Sequence, residues 1–303
     1  MNAAPVLLGY AALVGAAAPR LLLRSAWPHR APALAVTVWL ALTVTFVLAL
    51  ALASARLATP TEHLHAGLVG LLHACGVGSG PAVPGPGTAG RLAVVLPLLV
   101  LGGWAASVLH RLGRAGLLRA RHRDRLDKVG APCPRLGVTV LPHAVPGAYC
   151  LPGLRSRVVV SDAAVRLLSP RQLDAVVEHE RAHVAGRHHL PLAAAEGFAA
   201  LFRRLPLARH VRGQVALLLE MSADDRALRR HPDAVLATAM YAMAAGRAPE
   251  GAFGAAGASP AVLRMKRILG PRPTPHPALR GALASAAFAA PLLPLLVACP
   301  PGV

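Results

Sequence analysis

The run ALAVTVWLALTVTFVLALALASA, from Ala33 to Ala55, constrains the fold more than any other feature. It carries no charge, and as a helix it is long enough to cross the roughly 30 Å hydrocarbon layer of a bilayer. Three weaker runs share its character: about Pro5 to Leu23, interrupted by Arg20; about Leu92 to Leu109; and about Leu283 to Ala298, which contains Pro291 and Pro294. The chain is 55% hydrophobic and only 15% charged, against roughly 25% charged in soluble domains. The expected class is a membrane α-helical protein with about four transmembrane helices, surrounded by membrane lipid, and a modest folded remainder.

A formal charge of +19, from 32 Lys and Arg against 13 Asp and Glu, raises nucleic acid as a partner. No recognition motif accompanies it, and the arginines bunch beside the apolar runs, so nucleic acid is not the expected partner. Arg20, Arg24 and Arg30 follow the first run; Arg111, Arg114, Arg119, Arg121, Arg123, Arg125 and Lys128 follow the third. Such clusters mark cytoplasmic segments and suit anionic lipid headgroups. The expected topology is multi-pass in the cell membrane, with both termini and the stretch GVGSGPAVPGPGTAG outside. Residues 1–116 would hold three spans (about 5–23, 33–55 and 92–109), residues 117–280 a cytoplasmic domain, and 281–303 a last span with a short outer tail. Met1 to Pro19 lacks the basic start of a signal peptide. Cys133 and Cys150 would be reduced in the cytoplasm, whereas Cys75 and Cys299, near the outer face, are either free or paired.

Inside 117–280 the pattern changes from strand to helix. Leu136 to Leu141 and Arg157 to Ser161 are β-branched runs bounded by Pro, Gly and Ser, with GAYCLPG between them. Ser169, Pro170 and Gln172 form a capping box with proline at the first helical position, and Gly186 offers a stop. HLPLAAAEGFAALFRRLPL is apolar for too few residues to span and reads as a buried or interfacial helix.

On the capped helix, His179 and His183 lie one turn apart on one face, so both imidazoles reach one ion. Glu180, about 100° away, can act on a water without being a ligand. This is the His-Glu-x-x-His pattern of zinc hydrolases. The bland alternative is a basic helix that happens to contain histidines. A catalytic zinc needs a third protein ligand and an open position, and Glu220, at the end of an apolar helical run, supplies it. Asp224, one turn on, can fix a ligand histidine's tautomer. Otherwise these carboxylates would be solvated partners of Arg226, Arg229 and Arg230. His188 and His189 read as helix-end polar residues, and His63, His65 and His73 as surface bystanders or pH sensors.

SDAAVRLLSPRQLDAVVEHERAHVAGRHH, followed by EMSADDRAL, resembles the membrane-bound gluzincin-type metallopeptidases, most closely the BlaR/MecR-type antirepressor peptidases, with HtpX-type and CAAX prenyl-protein peptidases as relatives. The resemblance runs from about Val138 to Leu269; SPAVLRMKRILG is similar to a later basic helix, matched at Arg267 and Ile268. It implies an α+β zincin-like domain holding one Zn2+ on His179, His183 and Glu220, with Glu180 as catalytic base and Asp224 behind the ligands. It also implies an edge strand binding substrate at Ala148, Tyr149, Cys150 and Leu151, where Gly147 stands in place of the usual asparagine. Oxyanion stabilisation is assigned to Arg226 or Tyr149. The implied activity is site-specific endoproteolysis of a protein substrate, such as a BlaI/MecI-type cytoplasmic repressor. The alternatives are HtpX-like quality control of membrane proteins and a non-catalytic transducer that keeps zinc for folding. The family's penicillin-binding sensor would follow the last span, but the sequence ends at Val303, so β-lactam sensing by an attached domain is not expected.

Overall fold

The computed structural model describes residues 3–58, 88–153, 155–246, 260–272 and 275–298. His63, His65, His73, Cys75, Cys299 and nearly all of the Gly/Pro-rich loop lie outside them. The first three apolar runs form helices: α1 (Ala4–Arg24, with a π turn over Leu13–Ala17), α2 (Pro32–Ala58) and α3 (Thr88–Val129). Among the described residues these three are long and apolar enough to cross a membrane. α3 has 42 residues, or roughly 63 Å at 1.5 Å per residue. The expected boundary at residue 117 therefore falls inside an unbroken helix that carries the arginine cluster from the apolar end to the first strand.

The fourth expected span is not one helix. The chain forms α10 (Pro277–Ala289) and α11 (Leu293–Ala298), with a turn between them. The cause is local: the carbonyl of Ala290 would accept from residue 294, but Pro294 has no N–H. Tyr10 Oη donates to that carbonyl instead, at 3.2 Å, tying the break to α1.

After α3 come β1 (Ala131–Cys133), β2 (Val138–Leu141), β3 (Ala148–Leu151) and β4 (Arg157–Ser161), in the sheet order β1-β2-β4-β3. β2 and β4 are parallel, β3 pairs antiparallel with β4, and β3 forms one edge. Gly130 enters β1 where a Cβ would sit 2.8 Å from the Leu126 carbonyl and 2.5 Å from Thr139, so no larger residue fits. The continuous apolar run of β4 reflects two covered faces. Val159 packs with Leu126 of α3 on one side, while Val158 and Val160 pack on the other with Leu173, Val176 and Val177 of α5 (Pro170–Ala185). A short α4 (Asp162–Leu167) joins β4 to α5.

α6 (His189–Leu201) and α7 (Pro206–Ala227) share a core with the apolar helices. Phe46, midway along α2, meets Phe198 edge-on at 5.8 Å and Phe202 at 5.3 Å between ring centroids. At Gly197 a Cβ would come within 3.2 Å of the Val108 backbone, and Ser107 Oγ donates to the Gly197 carbonyl at 3.1 Å. This is the small-residue approach that lets helices pack tightly in a membrane. α8 (Asp233–Ala245) and α9 (Pro260–Leu269) close the domain. Arg267 of α9 donates to the His29 carbonyl at 2.6 Å, so the loop between α1 and α2 lies against the domain.

Candidate metal centre

The capping box of α5 is present: Ser169 Oγ accepts from the Gln172 amide at 3.4 Å, and Gln172 Oε1 accepts from the Ser169 amide at 2.9 Å. With the start fixed, the helical period turns Leu173, Val176 and Val177 to the sheet and His179 and His183 toward α7. In α7, Leu218, Leu219 and Met221 are buried in the shared core, which leaves Glu220 facing α5. Ligand atoms of His179, His183 and Glu220 all lie within 4.8 Å of one another. The two Nε2 atoms are 3.2 Å apart, Glu220 Oε2 is 3.5 Å from His179 Nε2, and Oε1 is 3.3 Å from His183 Nε2. Tetrahedral bonds of 2.0–2.1 Å place neighbouring ligand atoms about 3.3 Å apart, so the spacing fits zinc.

Charge gives a second test of fit. Among the described residues, Glu180, Glu220 and Asp224 converge with one arginine, Arg264, in a largely buried region. Arg264 sits 2.8 Å from Glu220 Oε2 and donates to both oxygens of Asp224 at 2.7 and 2.8 Å. Three carboxylates against one guanidinium leave two negative charges, which a divalent ion would neutralise. Without an ion, protons take its place. Burial alone would lower the His179 pKa, but the carboxylates of Asp224 and Glu220 beside it raise it to about 9. Burial lowers that of His183, and only partly does Glu220 oppose it. The Glu180 pKa is raised, chiefly by burial, as a proton acceptor in such a site needs. Burial would raise the pKa of Asp224 too, yet its bonds to Arg264 and the adjacent His179 bring it down to about 2.

Each histidine has a partner on its far nitrogen. His179 Nδ1 is 3.0 Å from Asp224 Oδ1, close in length but off the line of a good hydrogen bond. His183 Nδ1 is 2.9 Å from His188 Nδ1. A ligating His183 uses Nε2, so its Nδ1–H donates and His188 must accept with Nδ1, leaving the proton on Nε2. The turn after α5 makes this contact. The amides of Arg187 and His188 bond to the carbonyls of Val184 and His183, a Schellman turn. Its left-handed residue is Arg187, at φ 48°, while Gly186 keeps a helical φ of −78°. Gly186 is needed for space: a Cβ there would lie 2.4 Å from His188 Nε2.

Residues 114–250 match the sequence model of peptidase family M48. The match takes in the end of α3, the whole sheet and all three clustered residues, and it supports an M48 zinc metallopeptidase domain in this chain. Searches of curated proteins and of solved structures returned no match.

Two expected residues are placed away from the candidate metal centre. Arg226 turns to Glu178 at 3.6 Å, where Arg230 also binds at 2.9 Å. Tyr149 points to the α3 side of the sheet and its Oη lies 2.6 Å from His122 Nε2. Alternation along β3 then turns Cys150 toward Glu180. Burial and that carboxylate push the Cys150 thiol up to about 12, so it stays protonated beside the site. The matched residue of the basic helix, Arg267, binds Asp225 at 2.7 Å, and it is Arg264, one turn earlier, that reaches the centre. Arg264 and His188 were both missed from sequence. The signal for Arg264 was the charge deficit of Glu220 and Asp224, but α9 offers Arg264, Lys266 and Arg267 as equivalent candidates.

Proposed function

We propose that the chain is an integral-membrane zinc endopeptidase whose centre is His179, His183 and Glu220. The observation that carries this is the spacing of 3.2 to 3.5 Å among their ligand atoms. Zinc, when bound, supplies a Lewis acid and makes water acidic near neutral pH. The chain's own groups do the rest. Glu180 takes the proton from the attacking water and hands it to the leaving amine, and burial keeps its pKa high enough for both transfers. Asp224 and His188 orient the two imidazoles. Arg264 holds Glu220 and Asp224 in place. Substrate lies extended along the open edge of β3, at Ala148 to Leu151, adding a strand to the sheet. With the domain on the cytoplasmic side, as the arginine clusters favour, the substrate is a cytoplasmic protein segment near the membrane. A transcriptional repressor is the substrate class that the resemblance to antirepressor peptidases supports.

The test is Glu180→Gln. It keeps all three ligands, so zinc content should be unchanged while cleavage falls by at least about 100-fold. Fragments in cells carrying the native or substituted chain then separate the roles. A repressor cut only by the native chain supports signalling, whereas misfolded membrane proteins accumulating with Glu180→Gln support quality control. Normal proteolysis by Glu180→Gln would defeat the hydrolase reading.

A further inference from the structure

A cavity of about 560 Å3 lies where the loop between α1 and α2, the end of α5, α7 and the start of α10 meet. Four arginines from three segments line it: Arg30, Arg226 with Arg229 at the end of α7, and Arg280. Among the described residues its one wall carboxylate is Asp225, which is held by Arg267 at 2.7 Å. Arg226 leans on Glu178 at 3.6 Å, but Arg30, Arg229 and Arg280 have no ion pair among the described residues. Cations gathered this way repel one another unless an anion joins them.

The backbone adds donors. Ala33 and Leu34, in the first turn of the 27-residue α2, line the same cavity. Their amides have no intrahelical partner, and Ala31 before them has only a methyl group where a capping oxygen would stand. The positive end of a long helix thus adds to the arginines. Ser222 contributes a hydroxyl. Location narrows the anion further: α2 begins its apolar run here, so the cavity sits at the level of the bilayer surface, where lipid phosphates lie.

We propose that this cavity binds a phosphate-bearing anion of headgroup size, supplied by an acidic phospholipid of the adjoining leaflet. Arg30, Arg229 and Arg280 bind the phosphate oxygens together with the free amides of α2, and Ser222 has reach to the glycerol. Ala182, Ala185, Gly186 and His188 form the wall toward α5, so the occupant rests on the turn that supports His183. Binding does not depend on whether the zinc site hydrolyses peptides.

The full-length chain in detergent micelles, titrated with phosphatidylglycerol or phosphatidylcholine and read by native mass spectrometry, tests this. Phosphatidylglycerol should bind preferentially, and R229Q/R280Q together should weaken it by about 30-fold. Zinc content and the unfolding midpoint report whether that variant folds. On the unsubstituted chain, phosphatidylglycerol but not phosphatidylcholine should slow hydrogen exchange at Ala33 and Leu34, a readout that needs no variant. Glycerol 1-phosphate and inorganic phosphate, titrated calorimetrically, distinguish the source: arginine-dependent binding of these without a lipid preference keeps the phosphate site but makes its ligand soluble. Absence of all phosphate binding, a lipid preference that R229Q/R280Q leaves intact, or unchanged exchange at Ala33 and Leu34 under every ligand would overturn the proposal.

Discussion

Asp224 offers the sharpest test of how the centre is held. It is fully buried, and it accepts two bonds from Arg264 and faces His179 at 3.0 Å. Its folded pKa of about 2, against 3.8 unperturbed, means that the fold favours the carboxylate by about 2 kcal/mol. Because the folded value is the lower one, this stability is present above pH 3.8 and is lost as pH falls through about 2. Asp224→Ala removes that preference and also strands a guanidinium that is only 15% exposed. Breaking such a pair costs about 3–5 kcal/mol, and the remaining contact of Arg264 with Glu220 at 2.8 Å sets the expectation at about 3. Zinc affinity should fall about 10- to 100-fold, because His179 loses its orienting partner. Adding Arg264→Met removes the stranded charge and should recover at least about 1 kcal/mol. Denaturant unfolding and chelator competition measure the two effects. The argument fails if Asp224→Ala costs under about 1 kcal/mol and changes zinc affinity less than about twofold.

Zinc must displace the proton that His179 holds in the metal-free centre with a pKa of about 9. Affinity measured by chelator competition should therefore rise about tenfold per pH unit up to about pH 9 and then level, and a flat profile from pH 7 to 9 would contradict this. In the metal-free protein the same raised pKa gives stability that is full below pH 6.5 and lost as pH climbs through 9. Gly186→Ala keeps an allowed helical φ but drives a methyl into the His188 ring, so zinc affinity should drop about tenfold with the helix intact by circular dichroism. Arg187→Gly relieves a left-handed φ of 48° and should stabilise the fold by about 0.5–1 kcal/mol, seen as a rise in unfolding midpoint; a fall would refute the strain.

The centre was legible where local rules decide position. The Ser-x-x-Gln box sets the phase of α5, and a one-turn separation then places His179 and His183 on one face, whatever surrounds them. Glu220 was legible because an apolar run leads straight into a carboxylate. What escaped depends on tertiary placement. Which of three cations on α9 reaches Asp224 depends on how that helix docks, and the pairing of His183 with His188 depends on a turn closed by an arginine in a glycine's conformation. Tyr149 was misplaced because a strand's alternation sends neighbours to opposite faces, and without the sheet nothing says which face holds the helix. The broken C-terminal helix shows a smaller failure of the same kind: two prolines signalled a bend, while the donor that makes the break tolerable, Tyr10, comes from the other end of the chain.

The core shared by α2, α6 and α7 has a practical consequence for anyone working with this protein. Cutting before residue 117 to obtain a tractable soluble enzyme would strip Phe46 and Trp39 from Phe198, Leu207, Val211 and Val215, which are buried at 0% exposure. The helix that presents Glu220 would lose the surface against which it is seated. The apolar helices are thus a structural component of the candidate centre itself, and a fragment cut free of them lacks the seat of its third candidate ligand.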